Sequence, residues 1–525
     1  MLLLKAIATT LLCIGSSIQQ ANALLPLTIK SNKFVQPSLD SDLGEAFFIN
    51  GVDYQPGGSS DYTYNMTSDV LTNPDVCARD ATALQNLGIN TIRIYTIDPD
   101  LNHDQCMSIF NSAGIYVILD VNSPLGGESL NREDPEGTYN AWYMSRVFKV
   151  IESFRTYSNV IGFFLGNEVI NDDKSAGIDP RYLRAITRDA RVYIENRLKD
   201  DNNTSARDIF VGYSAADDLS LRKPTFEYLT CQNDDEKLDS SIQFFGLNSY
   251  EWCSGISDWQ SSGYSKMENE FQNSSVPFFF SEYGCNTKSP RTFDEVSEGV
   301  YDSRLTDIMD GGLIYEYSME AARYGLVEID ENDVNLLQDY FNYKDQLSKA
   351  KIPKINESDI PDYERPQCNT NSIQSLDKSF NASFSLPEAN KDTQWMIDNG
   401  VSIEHVGKFV DVDDYLNLYI SDATSTNDKL TRANFVVATG DSSSTTSLYL
   451  TIDQKNLING KSTSSKSSSR ISSSHRPISS TTIQTSSSST VSTVSSISST
   501  SHTNGAGQLE AGVFAGFIGF VAALL

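Results

Sequence analysis

Histidine is scarce: the 525-residue chain has four, and only His103 falls within residues 24–368, the long stretch that reads as folded. A lone imidazole, on a helix far in sequence from any candidate nucleophile, does not support a Ser-His-Asp hydrolase. Seven cysteines are present, but none stands in C-x-x-C spacing or clusters with histidine, so a zinc site is excluded. No metal and no cofactor is expected. Positive charge is also short. Forty Lys and Arg against 69 Asp and Glu leave a formal net charge of −29, which argues against nucleic acid and anionic membrane surfaces as partners. The apolar tail at 511–525 carries no Lys or Arg. At ~1.5 Å per residue it reaches only about 22 Å, short of a ~30 Å hydrocarbon core.

Both ends read as processing signals. Lys5 precedes an apolar stretch to Ile14, and Ala21-Asn22-Ala23 has the small-x-small pattern of a secretory cleavage site, so residues 1–23 read as a signal peptide. The small residues Asn504-Gly505-Ala506, a brief polar spacer and the apolar tail give 504–525 the layout of a glycosylphosphatidylinositol attachment signal, with Asn504 or Gly505 as the acceptor. Residues 461–503 are dominated by Ser and Thr; they cannot bury a core and read as a disordered, O-glycosylated stalk. Sequons at Asn65, Asn202, Asn203, Asn273, Asn356 and Asn381 fit an exported glycoprotein. The expected location is the outer face of the plasma membrane, held by lipid alone, and the cell wall.

Against these absences stand two short apolar runs that each carry a glutamate at the far end. Residues 160–168 read VIGFFLGNE and residues 276–284 read VPFFFSEYG; each has the length and composition of a strand buried on both faces. Further strand candidates lie at 46–55, 91–97, 114–122, 208–217, 244–252 and 311–319, with helical stretches between them. After the first strand, Asn73-Pro74 can cap and start a helix and Gly88 can end it. Eight alternating units imply an α/β fold, a closed (β/α)8 TIM barrel spanning 24–368, whose active-site face lies at the carboxyl ends of its strands. Glu168 and Glu282 on that face are the minimum equipment for acid/base and nucleophilic chemistry on a glycosidic bond. Arg93, aimed into the barrel mouth, reads as a partner for a carboxylate.

Cys13 leaves with the signal, and the remaining six cysteines allow fifteen pairings. The barrel narrows them. Cys253 and Cys285 sit just past neighbouring strands, Cys77 and Cys106 fall on the first two helices, and Cys231 is left to staple Cys368. Residues 369–460 have no cysteine and include alternating runs at 415–420 and 446–452; they read as a small β-rich appendage.

Seven motifs together carry a resemblance. They are Tyr54-Gln55-Pro56-Gly57, the run from Arg93 to Tyr95, Ile118-Leu119-Asp120, Gly166-Asn167-Glu168, Tyr250-Glu251-Trp252-Cys253, Ser281-Glu282-Tyr283-Gly284 and Tyr315-Glu316-Tyr317-Ser318. With these the chain resembles the fungal β-1,3-glucanosyltransferases of glycoside hydrolase family 72, over roughly residues 30–370. The resemblance implies a retaining transfer from a β-1,3-glucan donor to a β-1,3-glucan acceptor in cell-wall assembly, by a monomer. It implies Glu168 as acid/base and Glu282 as nucleophile, with Gln55, Tyr95, Asp120, Asn167, Tyr250, Tyr315 and Tyr324 lining the sugar subsites. The chain departs from the family in lacking a cysteine-rich module after Cys368, in Ala321-Ala322 before Arg323-Tyr324, and in Val-Asn-Ser-Pro after Asp120. A secreted endo-β-1,3-glucanase would share every catalytic residue. A weakly active or inactive wall-bound glucan-binding protein would share the fold and anchor, and the intact glutamates count against it.

Overall fold

The computed structural model describes residues 24–412 apart from 39–42, 65–67, 201–206, 234–236 and 331–332, together with 415, 423–424 and 429–430. The signal peptide, stalk, lipid-attachment signal, and the sequons at Asn65, Asn202 and Asn203 lie outside the described residues, as do 446–452 and most of 415–420.

Eight parallel strands close a barrel in sequence order: β1 (Ile49–Asp53), β2 (Thr91–Ile94), β3 (Tyr116–Asp120), β4 (Val160–Asn167), β5 (Phe210–Ala216), β6 (Phe244–Ser249), β7 (Phe278–Tyr283) and β8 (Gly311–Ile314). Each lies within a stretch expected from its apolar run. The outer layer includes α1 (Pro74–Leu87), α2 (Asp104–Ser112), α3 (Ala141–Phe154), α4 (Pro180–Asp200), α5 (Arg222–Thr230), α6 (Tyr264–Glu270), α7 (Ser303–Thr306) and α8 (Gln338–Lys349). Local chemistry sets their limits. On α1 the Asn73 side chain accepts from the amides of Asp75 and Val76, Pro74 opens the first turn, and Gly88 closes the last at φ 93°.

The expected first strand, 46–55, divides in two. Ala46 pairs with Val35 in a three-stranded antiparallel sheet made of Thr28–Lys30, Lys33–Gln36 and Glu45–Ala46. That sheet stoppers the amino-terminal end of the barrel. Phe34 lies 5.9–6.5 Å from the rings of Phe210, Phe244 and Phe279, and each of those rings belongs to the first two residues of its strand. Lys33 Nζ pairs with Asp310 Oδ1 at 2.7 Å, and the Phe34 amide donates to Asp310 Oδ2 at 3.0 Å. The chain therefore breaks register after Ala46 to pass from stopper to barrel.

Residues 369–412 correct the expectation of a β-rich appendage. They hold two helices, α9 (Thr370–Leu376) and α10 (Lys391–Asn399), and no strand; the described strands of 369–460 are the two-residue pair Ala423–Thr424 and Lys429–Leu430. Helix formation is local: Asn390 caps Asp392 and Thr393, and Gly400 ends the turn. The segment lies along the barrel wall. Phe380 and Phe384 sit 5.5 and 4.9 Å from Tyr228, Asn196 donates to Ile397 O, and Phe409 lies 5.5 Å from Tyr157.

Three disulfides are present: Cys77–Cys106 between α1 and α2, Cys231–Cys368 at the end of α5, and Cys253–Cys285 beyond β6 and β7. Asn273 and Asn356 are exposed, whereas Asn381 is half-buried and its side-chain amide donates to Gly177 O.

Two stability outcomes follow. Replacing Phe34 by Ala removes the stopper ring and should cost about 3–5 kcal/mol, read as a lower denaturant midpoint. Replacing Cys231 and Cys368 together by Ser reopens a loop of 137 residues and should cost about 2–5 kcal/mol; a melting temperature equal to the parent's would refute it.

Candidate active site

Arg93 is fully buried on β2 and distributes its donors over three strand ends. Nε and Nη2 reach the two Asp120 oxygens at 3.0 and 2.7 Å. Nη1 donates to Glu282 Oε1 at 3.1 Å and to Ser281 O at 3.2 Å, and Nη2 also donates to Asn167 Oδ1 at 3.0 Å. The guanidinium carbon stands 4.4 Å from the Tyr95 ring and 4.8 Å from Phe164. A guanidinium is always charged and presents its donors as a rigid fork, so one cation fixes two carboxylates and an amide at once.

Glu282 lies on β7, where the pairing with both neighbouring strands shifts between Phe280 and the residues that follow. Such a bulge re-aims a side chain that strict alternation would place elsewhere. Besides Arg93, its Oε1 accepts from the Tyr95 hydroxyl and its Oε2 from the Tyr250 hydroxyl, both at 2.8 Å. Burial pushes the Glu282 carboxyl up to about 7; Arg93 pulls it down, and the Glu168 charge pushes it up again. Burial likewise holds Tyr95 and Tyr250 well above the usual phenol range, so both remain donors.

Glu168 follows β4 directly and has φ +48°, the left-handed region that non-glycine residues seldom occupy. The turn is held by its amide, which donates to Ser214 O at 2.8 Å. Its Oε1 accepts from Asn248 Nδ2 at 2.9 Å. Asn248 is itself oriented, because Oδ1 takes the hydroxyls of Ser214 and Ser281 at 3.0 and 2.8 Å, leaving Nδ2 for Glu168 and Asn167. Burial raises the Glu168 pKa, and the Asn248 donation and the Arg93 and Arg132 charges oppose it.

The remaining expected residues divide by role. Tyr315 stands edge-on to Tyr95, Tyr250 and Tyr324 at 5.2–6.4 Å, an aromatic wall beside Glu282. Tyr250 and Tyr324 close that wall at 5.7 Å. Gln55 is braced against β2's continuation: its Oε1 accepts the amides of Tyr95 and Thr96, and its Nε2 donates to Thr96 O. Asp120 is held by Arg93 against the upward push of burial.

Sequence reading missed two members of the site. Asn248 shares a strand face with Tyr250, two residues on, and that spacing was the available signal. Asp53 is fully buried on β1, and neither carboxylate oxygen has a hydrogen-bond partner among the described residues. Burial raises it well above the carboxylate range, Arg93 opposes that, and Glu282 and Asp120 add to it. Nothing in the sequence marks it.

The family model for glucanosyltransferases of glycoside hydrolase family 72 matches residues 16–351. The Saccharomyces cerevisiae protein named "Probable 1,3-beta-glucanosyltransferase GAS3" is 49% identical over 403 residues, 74% of this chain and 75% of that one. The 1,3-beta-glucanosyltransferase gel2 of Aspergillus fumigatus is 46% identical over 395 residues, 75% of this chain and 79% of its own. Among solved structures, a mutant of Saccharomyces cerevisiae Gas2p in complex with laminaritetraose and laminaripentaose superposes with a TM-score of 0.59 at 35% identity, covering 71% of this chain and 76% of that one.

Replacing Arg93 by Met strands two buried carboxylates and should cost about 3–5 kcal/mol of stability. It should also push the acid limb of activity to higher pH, because Glu282 loses the charge that favours its ionised form. Replacing Asn248 by Ala acts on the other limb. Its amide favours ionised Glu168, so its loss raises the Glu168 pKa; a reaction that needs the protonated acid then persists to higher pH. An alkaline limb of kcat/KM that stays put or moves down would contradict this.

Proposed function

The chain belongs to the glucanosyltransferase family of glycoside hydrolase family 72, and on that premise we propose that Glu282 is the nucleophile and Glu168 the acid/base of its retaining transfer. It is a 1,3-β-glucanosyltransferase acting on β-1,3-glucan, and its family's work lies in the fungal cell wall. The observation that carries the assignment of roles is the asymmetry of the donors. Glu282 accepts from Arg93, Tyr95 and Tyr250, a set that favours its carboxylate form against the push of burial; Glu168 accepts from the neutral amide of Asn248.

Ionised Glu282 attacks the anomeric carbon while Glu168 gives its proton to the departing glucan oxygen. Both Asn167 side-chain contacts among the described residues fall on its Oδ1, which leaves Nδ2 to donate to a sugar 2-hydroxyl, a bond that strengthens as charge develops. Glu168, now a base, takes the proton of an incoming glucan hydroxyl, whose oxygen displaces Glu282 and restores the β linkage. Water at ~55 M competes for the same intermediate, so transfer requires the acceptor to be held at a higher effective concentration. The tyrosine wall supplies rigid faces and hydroxyls for sugar rings.

Export follows the signal peptide at 1–23. Retention at the outer face of the plasma membrane is by a lipid on Asn504 or Gly505, beyond the Ser/Thr stalk at 461–503, and the enzyme acts as a monomer. Release by phosphatidylinositol-specific phospholipase is the expected result, and membrane retention unchanged by it would sink the lipid anchor.

Reduced laminari-oligosaccharides sized after incubation should yield products both longer and shorter than the donor; shorter ones alone would mean a hydrolase. Glu282→Gln should abolish turnover of every donor. Glu168→Gln should fail on natural glucan yet accumulate glycosyl-enzyme from a donor with a good leaving group, which azide then releases as the β-azide. A covalent adduct found on Glu168 would reverse the roles.

A further inference from the structure

Two residues beyond β8 stands a carboxyl group with no part in the transfer chemistry. Glu316 is 8% exposed. Its backbone is pinned on both sides: its amide donates to Tyr324 O at 3.2 Å, and the Leu326 amide donates to its carbonyl at 3.0 Å. Yet Oε1 is buried without a hydrogen-bond partner among the described residues, and such a group in a native structure calls for an explanation. Its neighbours are Tyr315 on one side and Tyr324 on the other, whose rings meet edge-on at 5.2 Å.

Strand order says what passes over it. β8 pairs with β7, which carries Glu282, and with β1; β4, which leads into Glu168, is four strands away around the closed barrel. The acid must face the leaving group. The glucosyl units that stay on the nucleophile therefore run toward the opposite wall, that of β8.

We propose that Glu316 is a further donor-binding residue: its carboxyl group hydrogen-bonds a hydroxyl of the glucosyl unit lying between Glu282 and the Tyr315–Tyr324 wall. The inference rests on the roles given above to the two glutamates. Burial pushes the Glu316 carboxyl up to about 8; the Tyr315 hydroxyl and the Arg291 charge oppose this, and the Glu320 and Glu282 charges add to it. Tyr324 faces it as a neutral phenol, itself raised by burial. At neutral pH the group is an acid with one hydrogen to give and one oxygen to receive, which is what a sugar hydroxyl offers in return.

Calorimetric titration of a Glu168→Gln protein with reduced laminaripentaose tests it. Adding Glu316→Ala should weaken binding about tenfold, whereas Glu316→Gln, which also gives and accepts, should stay within about twofold of the parent. Raising the pH through about 8 should weaken the parent as Glu316 ionises and loses its donor, and should leave Glu316→Gln unaffected relative to it. Equal affinity in Glu316→Ala, or the same pH dependence in Glu316→Gln, would overturn the proposal. Should Glu316→Ala fail to fold, the pH comparison with Glu316→Gln decides alone. A parent that binds no glucan at all refutes the assigned roles of the site instead.

Discussion

One buried cation organises the reactive end of this barrel. Arg93 lies in a layer that also holds Asp53, Asp120 and Glu282, and three carboxylates around one guanidinium cannot all be ionised at tolerable cost. The structure resolves the conflict by donor geometry. Asp120 takes a two-point contact and Glu282 a single one reinforced by two tyrosines. Asp53 takes no hydrogen bond among the described residues, and burial pushes its carboxyl toward the neutral form. Glu282 thus faces a charge that is shared but not contested.

Rigidity and adaptability are divided between strands and loops. Charge-bearing groups stand on or within two residues of the strand ends, where pairing fixes them: Arg93 on β2, Asp120 closing β3, Glu282 within β7. Tyr250, Tyr315 and Tyr324 lie past strand ends and meet edge to edge, a contact that tolerates small tilts. A transferase site that exchanges one long glucan chain for another is served by this division.

Much of this was legible in the residues. Apolar runs ending in glutamate marked two strands, their alternation with helical stretches implied the barrel, and an arginine in a strand mouth announced a carboxylate partner. What escaped reading depends on partners distant in sequence. The bulge at Phe280–Glu282 exists only relative to β6 and β8, and the left-handed turn at Glu168 is held by Ser214 O, far along the chain. Asn248 becomes informative only when two serines from other strands orient its amide. The segment after Cys368 looked β-rich because alternating runs farther on were extended backward over 369–412, whose own caps at Asn390 and Gly400 specify a helix.

The stopper at the base of the barrel bears on how the chain is made. The hairpin carrying Lys33 and Phe34 leaves the ribosome first, but its hydrogen-bond partners at Thr306, Met309 and Asp310 lie 273 to 277 residues downstream. At typical elongation rates of ~5–20 residues per second, that gap is on the order of tens of seconds. Throughout it, the Lys33 ammonium and the Phe34 amide, both buried in the finished molecule, lack the Asp310 carboxylate that holds them. The barrel can be sealed only after Asp310 has emerged, so a barrel still open at its amino-terminal end precedes the finished one during synthesis.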